Sequence, residues 1–289
     1  MPIVCPRRSA LYLPGSNPRA LEKARTLAAD VLIFDLEDAV APDAKAEARR
    51  LVVEAVKGGG FGKRELVIRV NRADTPWGSD DLVAAAGSGA AAVLLPKVES
   101  AGEVRRAEES LRAAGAPARL RLWAMIETPR GVLEAPAIAA ASPRLECLVA
   151  WTSDLAKDLH ARPTPGRAEV LTALSLVVLA ARAHGLACLD GVHLDLADET
   201  GFEGQCRQGR DLGFDGKTLI HPKTIAAANL AFAPGAEEVE AARRILVAHA
   251  EAESFGKGVV VVDGRLVEAL HVEAARRLLA LAEAVAARD

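Results

Sequence analysis

Short apolar runs punctuate the chain at 10–13, 31–34, 66–70, 91–95, 120–126, 145–151, 186–189 and 218–220. Each has the length of a buried strand. Between them lie segments rich in Ala, Leu, Glu and Arg whose apolar positions recur every three or four residues, as at 18–29, 43–56, 100–114 and 169–184. Such segments read as helices with one buried face. Eight strand-like runs alternating with helices predict an α/β fold, a TIM (β/α)8 barrel, for which ~250 residues is usual. The competing doubly wound open sheet normally uses fewer strands and often carries a Gly-rich fingerprint after the first.

The barrel accounts for residues 1–235, a single catalytic domain. Residues 236–289 form a C-terminal extension: a helix at 236–254, a small hairpin at 259–267 with Asp263-Gly264 at its turn, and a last helix at 270–287. This arm is expected to pack on a neighbouring subunit.

Composition narrows the partners. A net charge of −3, with Arg and Lys interspersed among acids, gives no footprint for nucleic acid. The four cysteines (Cys5, Cys147, Cys188, Cys206) show no C-x-x-C or zinc spacing and read as reduced thiols filling the core. The longest apolar run, 171–181, is too short to cross a bilayer, and no apolar run of signal-peptide length follows the N-terminus. A cytoplasmic, membrane-free protein is expected.

The chemistry lies one step past each strand, where a barrel builds its site. There stand Pro14-Gly15-Ser16, Asp35-Leu36-Glu37-Asp38, Arg69-Val70-Asn71, Pro96-Lys97, Glu127, Asp154, Asp190 and His221-Pro222. Glu127 is followed by Thr128-Pro129, a helix start with Thr as cap and Pro in the first turn. Singly, each acid has a plainer reading: Asp154 as a helix cap, Glu127 as partner of Arg130, and 35–38 as solvated loop. Together they make a ring in which acids outnumber bases, and a divalent cation is the natural guest. Oxygen donors without a His pair point to magnesium rather than zinc. Arg69 is then left to face a negative group of the substrate, which guanidinium binds in bidentate fashion. The Pro14–Pro18 turn could cradle a phosphate, with Arg19 and Lys23 on the helix it opens, or those two could simply be a solvated basic face.

The motifs Arg8-Ser-Ala-Leu-Tyr-Leu-Pro-Gly-Ser16, Asp35-Leu-Glu-Asp-Ala-Val40, Arg69-Val-Asn71, Leu95-Pro-Lys-Val-Glu99, Ile126-Glu-Thr128, Asp154-Leu155 and Gly213-Phe-Asp-Gly-Lys-Thr-Leu-Ile-His-Pro222 stand in this order. In this the chain resembles the citrate lyase β-subunit-like proteins of the HpcH/HpaI aldolase family, relatives of the malyl-CoA lyases. The resemblance implies a barrel of the phosphoenolpyruvate-binding type, a homotrimer or hexamer, and Mg2+ held by Glu127 and Asp154. It implies that Arg69 and Glu127 contact substrate oxygens, with Tyr12 and Lys23 near a CoA or acyl-carrier-protein thioester. The chemistry implied is reversible C–C cleavage of a β-hydroxyacyl thioester (citryl, malyl or citramalyl) to a 2-oxo acid such as oxaloacetate and an acyl thioester, with thioesterase or synthase activity as variants.

Three positions depart from the family pattern. Asn17 replaces a frequent Arg, a role that Arg19 would have to fill. Trp151 replaces a usual Gly, which makes the loop beside the expected metal site bulkier. Glu268 stands where malyl-CoA lyases carry an Asp supplied to a neighbouring subunit.

The expected mechanism places the acid's oxygens on Mg2+ with Arg69 stabilising developing charge, and gives Glu268 the hydroxyl proton. Two alternatives stay open. One is a Schiff-base aldolase using Lys97 or Lys217, neither of which shows an evident device for lowering its pKa. The other is a subunit active only within a multi-enzyme lyase complex.

Overall fold

The computed structural model describes residues 5–256 and 258–288, which fall into two compact units, Arg7–Ala231 and a C-terminal unit from Phe232 onward that also takes in the residues before Arg7. In the first, eight parallel strands close into a barrel in sequence order. They are β1 Ser9–Pro14, β2 Val31–Asp35, β3 Glu65–Arg69, β4 Ala92–Leu95, β5 Arg121–Ile126, β6 Leu145–Ala150, β7 Ala187–Asp190 and β8 Gly216–Leu219. The fold is the TIM barrel that the eight apolar runs predict. Helices α1 Pro18–Lys23, α2 Lys45–Gly58, α3 Gly78–Ala86 and α4 Ala101–Ala113 follow the first four strands. The pairs α5 Pro129–Leu133 with α6 Ala135–Ala139, and α7 Thr152–Asp158 with α8 Leu171–Ala183, follow β5 and β6. Helices α9 Glu199–Leu212 and α10 Ile225–Phe232 complete the order. None of the helices among the described residues is long and apolar enough to cross a membrane.

Side chains alternate across each strand, and those facing the axis form one buried cluster: Ala10 and Tyr12, Val31 and Ile33, Val67, Ala92 and Leu94, Trp123 and Met125, Cys147 and Val149, Leu189. The opposite parity (Leu11, Leu32, Phe34, Ile68, Val93, Leu122, Leu148) faces the helix layer and is equally buried. Burial on both faces explains why the strands read as continuous apolar runs rather than as alternation.

The N-terminal end of the barrel is sealed by charge. Arg7 forks onto Glu65 (2.7 and 2.8 Å) and stacks on the Trp123 ring (4.9 Å), while buried Arg8 forks onto Asp30 (2.9 and 3.0 Å).

The C-terminal unit comprises α11 Ala236–Ser254, the antiparallel pair β9 Val260–Val262 and β10 Arg265–Val267, and α12 Ala269–Ala286. Asp263 and Gly264 both take positive φ (49° and 76°), the backbone that a two-residue hairpin turn demands.

Candidate active site

The inward parity of four strands, extended one step beyond the apolar cluster, changes chemistry at the C-terminal end. Ile33 is followed inward by Asp35, Val67 by Arg69, Met125 by Glu127 and Val149 by Trp151. Register holds them at one level: Asp35 pairs laterally with Arg69, and Trp151 N–H donates to the Ile126 carbonyl (3.2 Å), beside Glu127.

Arg69, only 3% exposed, is the centre of this layer. Its Nε and Nη2 form a bidentate pair with Asp35 (2.7 and 2.6 Å), and Nη1 reaches Glu37 at 3.0 Å. Burial opposes the guanidinium charge, and the Asp35 hydrogen bonds outweigh it, so Arg69 is held charged. The rings of Tyr12 (4.9 Å) and Trp151 (5.6 Å) lie beside it and meet each other edge-on at 5.2 Å. Asp35 also accepts the N–H groups of Glu37 and Ala39 (2.8 and 3.1 Å), which fixes the loop that presents Glu37.

Glu37 is the second hub. Its carboxylate accepts from Lys97 Nζ at 2.6 Å, and burial pushes its pKa up against the pull of Arg69 and Lys97. Lys45, at the start of α2, donates to the carbonyls of Leu36 and Glu37 (2.9 and 2.7 Å). Asn71 donates to the Leu36 carbonyl (2.8 Å) and to Asp81 (2.6 Å).

Glu127 is wholly buried, and its Oε1 accepts the backbone N–H of Lys97 at 2.6 Å rather than pairing with Arg130 on the following turn. That contact requires Lys97 to adopt a left-handed backbone (φ 49°), an uncommon conformation for a long side chain that costs about 1–3 kcal/mol. The other oxygen, Oε2, is buried with no hydrogen-bond partner. Burial, reinforced by the charges of Glu37 and Asp154 and opposed by Lys97, pushes Glu127 up to about 7. Thr128 caps α5 through the Gly131 N–H (3.0 Å), as its sequence predicts. Gly131 is required by close approach, because a Cβ there would stand 2.6 Å from the Val98 carbonyl oxygen.

Asp154 lies in the first turn of α7, not at its cap, which is Trp151. The structure therefore brings Arg69, Glu127 and Asp154 to one mouth. Glu37, Lys97 and Trp151 are members of the same mouth: the sequence places Glu37 and Lys97 at strand ends, offers Lys97 as a Schiff-base alternative, and puts the bulk of Trp151 beside the expected metal site. The alternation of inward positions carries a signal for Asp35, Arg69 and Trp151, whereas nothing in the sequence announces the left-handed turn at Lys97.

The other expected site residues are placed as follows. Tyr12 is a buried residue of the barrel interior, its hydroxyl on the Met125 sulfur (3.7 Å) and its ring under Arg69. It belongs to the floor of the mouth. In the proposed phosphate cradle, the Gly15 N–H already donates to the Asp35 carbonyl (2.8 Å) and the Asn17 N–H to the Pro14 carbonyl (3.1 Å). Arg19 and Lys23 are exposed on α1, four residues apart.

Asp190 does not join the ring of acids. It has the parity opposite to Leu189 and, in the helix layer, binds Arg167 Nη1 (2.8 Å) and Lys217 Nζ (2.8 Å). Lys217 does have a device for lowering its pKa, since full burial depresses it against the pull of Asp190. Its lateral partners, Ser9 and Asp190, nevertheless place it outside the barrel wall. Lys97 is shifted the other way, its salt bridge to Glu37 outweighing burial. Neither lysine is presented to the mouth as a free amine.

Glu268 belongs to the C-terminal unit, at the N-cap position of α12, where its N–H donates to His271 Nδ1 (3.1 Å).

The donor set can be tested for a divalent ion. Among the described residues no group of three or more His, Cys, Asp or Glu is placed to hold one. A magnesium ion needs only one or two protein carboxylates and completes its octahedron with water and substrate oxygens. A buried carboxylate oxygen without a partner, next to a second acid that raises its pKa, fits such an ion.

A closed parallel barrel whose C-terminal mouth holds an arginine among carboxylates has the build of a (β/α)8-barrel enzyme acting on small oxyanionic groups. Comparison with known proteins narrows this. The sequence profile of the HpcH/HpaI aldolase/citrate lyase family matches residues 8–222, and the chain belongs to that family, whose members include lyases and thioesterases. It is 51% identical over 282 residues to a (3S)-malyl-CoA thioesterase of Cereibacter sphaeroides, covering 98% of this chain and 96% of the relative. To an L-malyl-CoA/beta-methylmalyl-CoA lyase of the same organism it is 36% identical over 306 residues, covering 98% and 96%. Among solved structures, it resembles the protein CitE from Mycobacterium tuberculosis in complex with magnesium, acetoacetate and coenzyme A. That match has a TM-score of 0.77 at 32% identity and covers 95% of this chain and 97% of that one.

Proposed function

We propose that this chain is a Mg2+-dependent enzyme that binds a malyl-type CoA thioester by its acid end and breaks the C–C bond that releases a 2-oxo acid. The observation that carries this reading is the unpartnered, buried Oε2 of Glu127, with Asp154 and Arg69 at the same mouth. Glu127 and Asp154 would hold the ion, which when bound supplies Lewis-acid polarisation of the acid's oxygens.

Arg69 does the work of charge stabilisation. Two of its nitrogens are committed to Asp35 and Nη1 is paired with Glu37 at 3.0 Å, so an oxygen that gains negative charge as the bond breaks would share Nη1 with Glu37. Asp35 keeps the guanidinium charged and aimed, and Lys97 holds Glu37 and Glu127 in place from two different atoms. Tyr12 and Trp151 pack together against Arg69. A carboxylate, Glu268 from a second copy of the chain, takes the hydroxyl proton as the carbonyl of the 2-oxo acid forms. The electron pair of the broken bond passes to the thioester enolate, which is then protonated.

A second reading, hydrolysis of the thioester, is favoured by the 51% identity to a malyl-CoA thioesterase. It uses the same acid-end site and differs in the bond broken. One assay separates the two. Malyl-CoA with Mg2+ is followed in parallel for a 2-oxo acid (phenylhydrazone) and for free thiol (Ellman's reagent). Cleavage gives the first without the second; hydrolysis gives thiol and no oxo acid. Turnover that persists in excess EDTA would refute both.

A further inference from the structure

We propose that Trp151 sets the size of the acid this site accepts, its indole admitting a two-carbon 2-oxo acid and excluding acids that carry a substituent beyond the carbonyl carbon. The proposal rests on the assignment of Glu127, Asp154 and Arg69 as the acid-binding site.

Three observations carry it. Trp151 continues the inward parity of β6 and packs on the barrel cluster, so its buried part is anchored and its partly exposed part faces the mouth. Backbone pairing to Ile126 sets it at the level of Glu127, and it immediately precedes the helix whose first turn carries Asp154. It thus stands along the chain between the two carboxylates. Finally, the indole lies 5.6 Å from the Arg69 guanidinium and is braced edge-on by Tyr12 at 5.2 Å. The ring cannot retreat toward the floor, because Tyr12 and Met125 already fill it, and both are buried. An acid whose oxygens reach Glu127, Asp154 and Arg69 together therefore meets the indole wherever it extends past its carbonyl carbon on that side.

Size and charge effects of the indole are separable. Removing the ring face beside Arg69 weakens every carboxylate alike. Only the vacated volume changes the ranking of acids that differ in length.

The test is calorimetric titration of the full-length protein, with Mg2+ present, with glyoxylate, pyruvate and oxaloacetate. Wild type, Trp151→Ala and Trp151→Phe are compared. Wild type binds glyoxylate in preference to the other two. Trp151→Ala shifts the pyruvate-to-glyoxylate affinity ratio toward pyruvate by about 10–200-fold, the range for one carbon in a close-fitting pocket. Trp151→Phe, which keeps an aromatic face on Arg69 and guards against a folding defect in the alanine variant, shifts it the same way but less. A wild type that prefers pyruvate or oxaloacetate, or variants whose ratio equals that of wild type, overturns the proposal. A wild type that binds none of the three acids overturns the acid-site assignment itself and is thereby distinguished from a failure of the size argument.

Discussion

Substituting Asp35→Asn tests whether Arg69 is organised by its buried partner. Asn keeps the shape of Asp35 but only one of the two oxygens that accept the Glu37 and Ala39 N–H groups, and it removes the charge facing a guanidinium that is 3% exposed. Removing one member of a buried ion pair costs about 3–5 kcal/mol, because the other charge is left unmatched in low dielectric. Here Glu37, at 3.0 Å from Nη1, partly substitutes, so the lower end of that range applies, ~3 kcal/mol. For a unit of this size ~2–4 °C is lost per kcal/mol, giving a fall of about 6–12 °C in the unfolding midpoint. Tryptophan fluorescence reports the barrel alone, since Trp77, Trp123 and Trp151 all lie within Arg7–Ala231. The double variant Asp35→Leu with Arg69→Met removes both charges and should recover most of the loss, although neither variant should bind a 2-oxo acid. A single variant that loses less than ~1 kcal/mol, or a double variant as unstable as the single, would refute the claim that Asp35 sustains the Arg69 charge.

Other outcomes follow from the same geometry. Glu127→Gln and Asp154→Asn should each abolish calorimetric Mg2+ binding while leaving the unfolding midpoint near that of wild type, because Gln keeps the oxygen that accepts the Lys97 N–H. Gly131→Ala should cost about 1–3 kcal/mol of stability, since its Cβ would press on the Val98 carbonyl, and should also weaken Mg2+ binding by shifting the neighbouring Lys97 N–H. Asp190→Asn should cost ~3–5 kcal/mol at neutral pH by stranding Arg167 and Lys217. Although burial opposes its charge, Lys217 and Arg167 depress the folded Asp190 pKa below the unfolded value of ~3.9. Its contribution is therefore complete above that value and is lost as pH falls through the folded pKa. The stability gap between wild type and Asp190→Asn, measured by denaturant titration, should narrow only in strong acid; a gap unchanged down to pH ~2 would contradict this.

How much of this was legible before the structure depends on periodicity. The barrel was, because strands buried on both faces leave uninterrupted apolar runs, and the observed strands lie within a residue or two of those runs. Glu127 and Asp154 were legible as acids one step past a strand. Parity decides which strand-end groups face the mouth: Asp35 and Arg69 follow the inward residues Ile33 and Val67, while Asp190 follows inward Leu189 by one and turns outward. The wiring of Lys97 was hidden for a different reason. It depends on a left-handed backbone at a residue whose type does not favour it, a conformation imposed by tertiary contacts with Glu127 and Glu37.

Correcting the parity sharpens the electrostatic argument for a cation rather than weakening it. A ring of acids at the mouth predicts a divalent guest only if those acids are not already neutralised. With Asp190 removed to the helix layer, the carboxylates interacting at the mouth are Asp35, Glu37, Asp38, Glu127 and Asp154, against Arg69, Lys45 and Lys97. The shortfall is two positive charges. It is not spread evenly: Arg69, Lys97 and Lys45 lie among Asp35, Glu37 and Asp38, so the uncompensated charge falls mainly on Glu127 and Asp154. Glu127 registers it as a pKa pushed up to about 7 and as an oxygen without a partner. A deficit located there supports the proposed Mg2+ ligands Glu127 and Asp154.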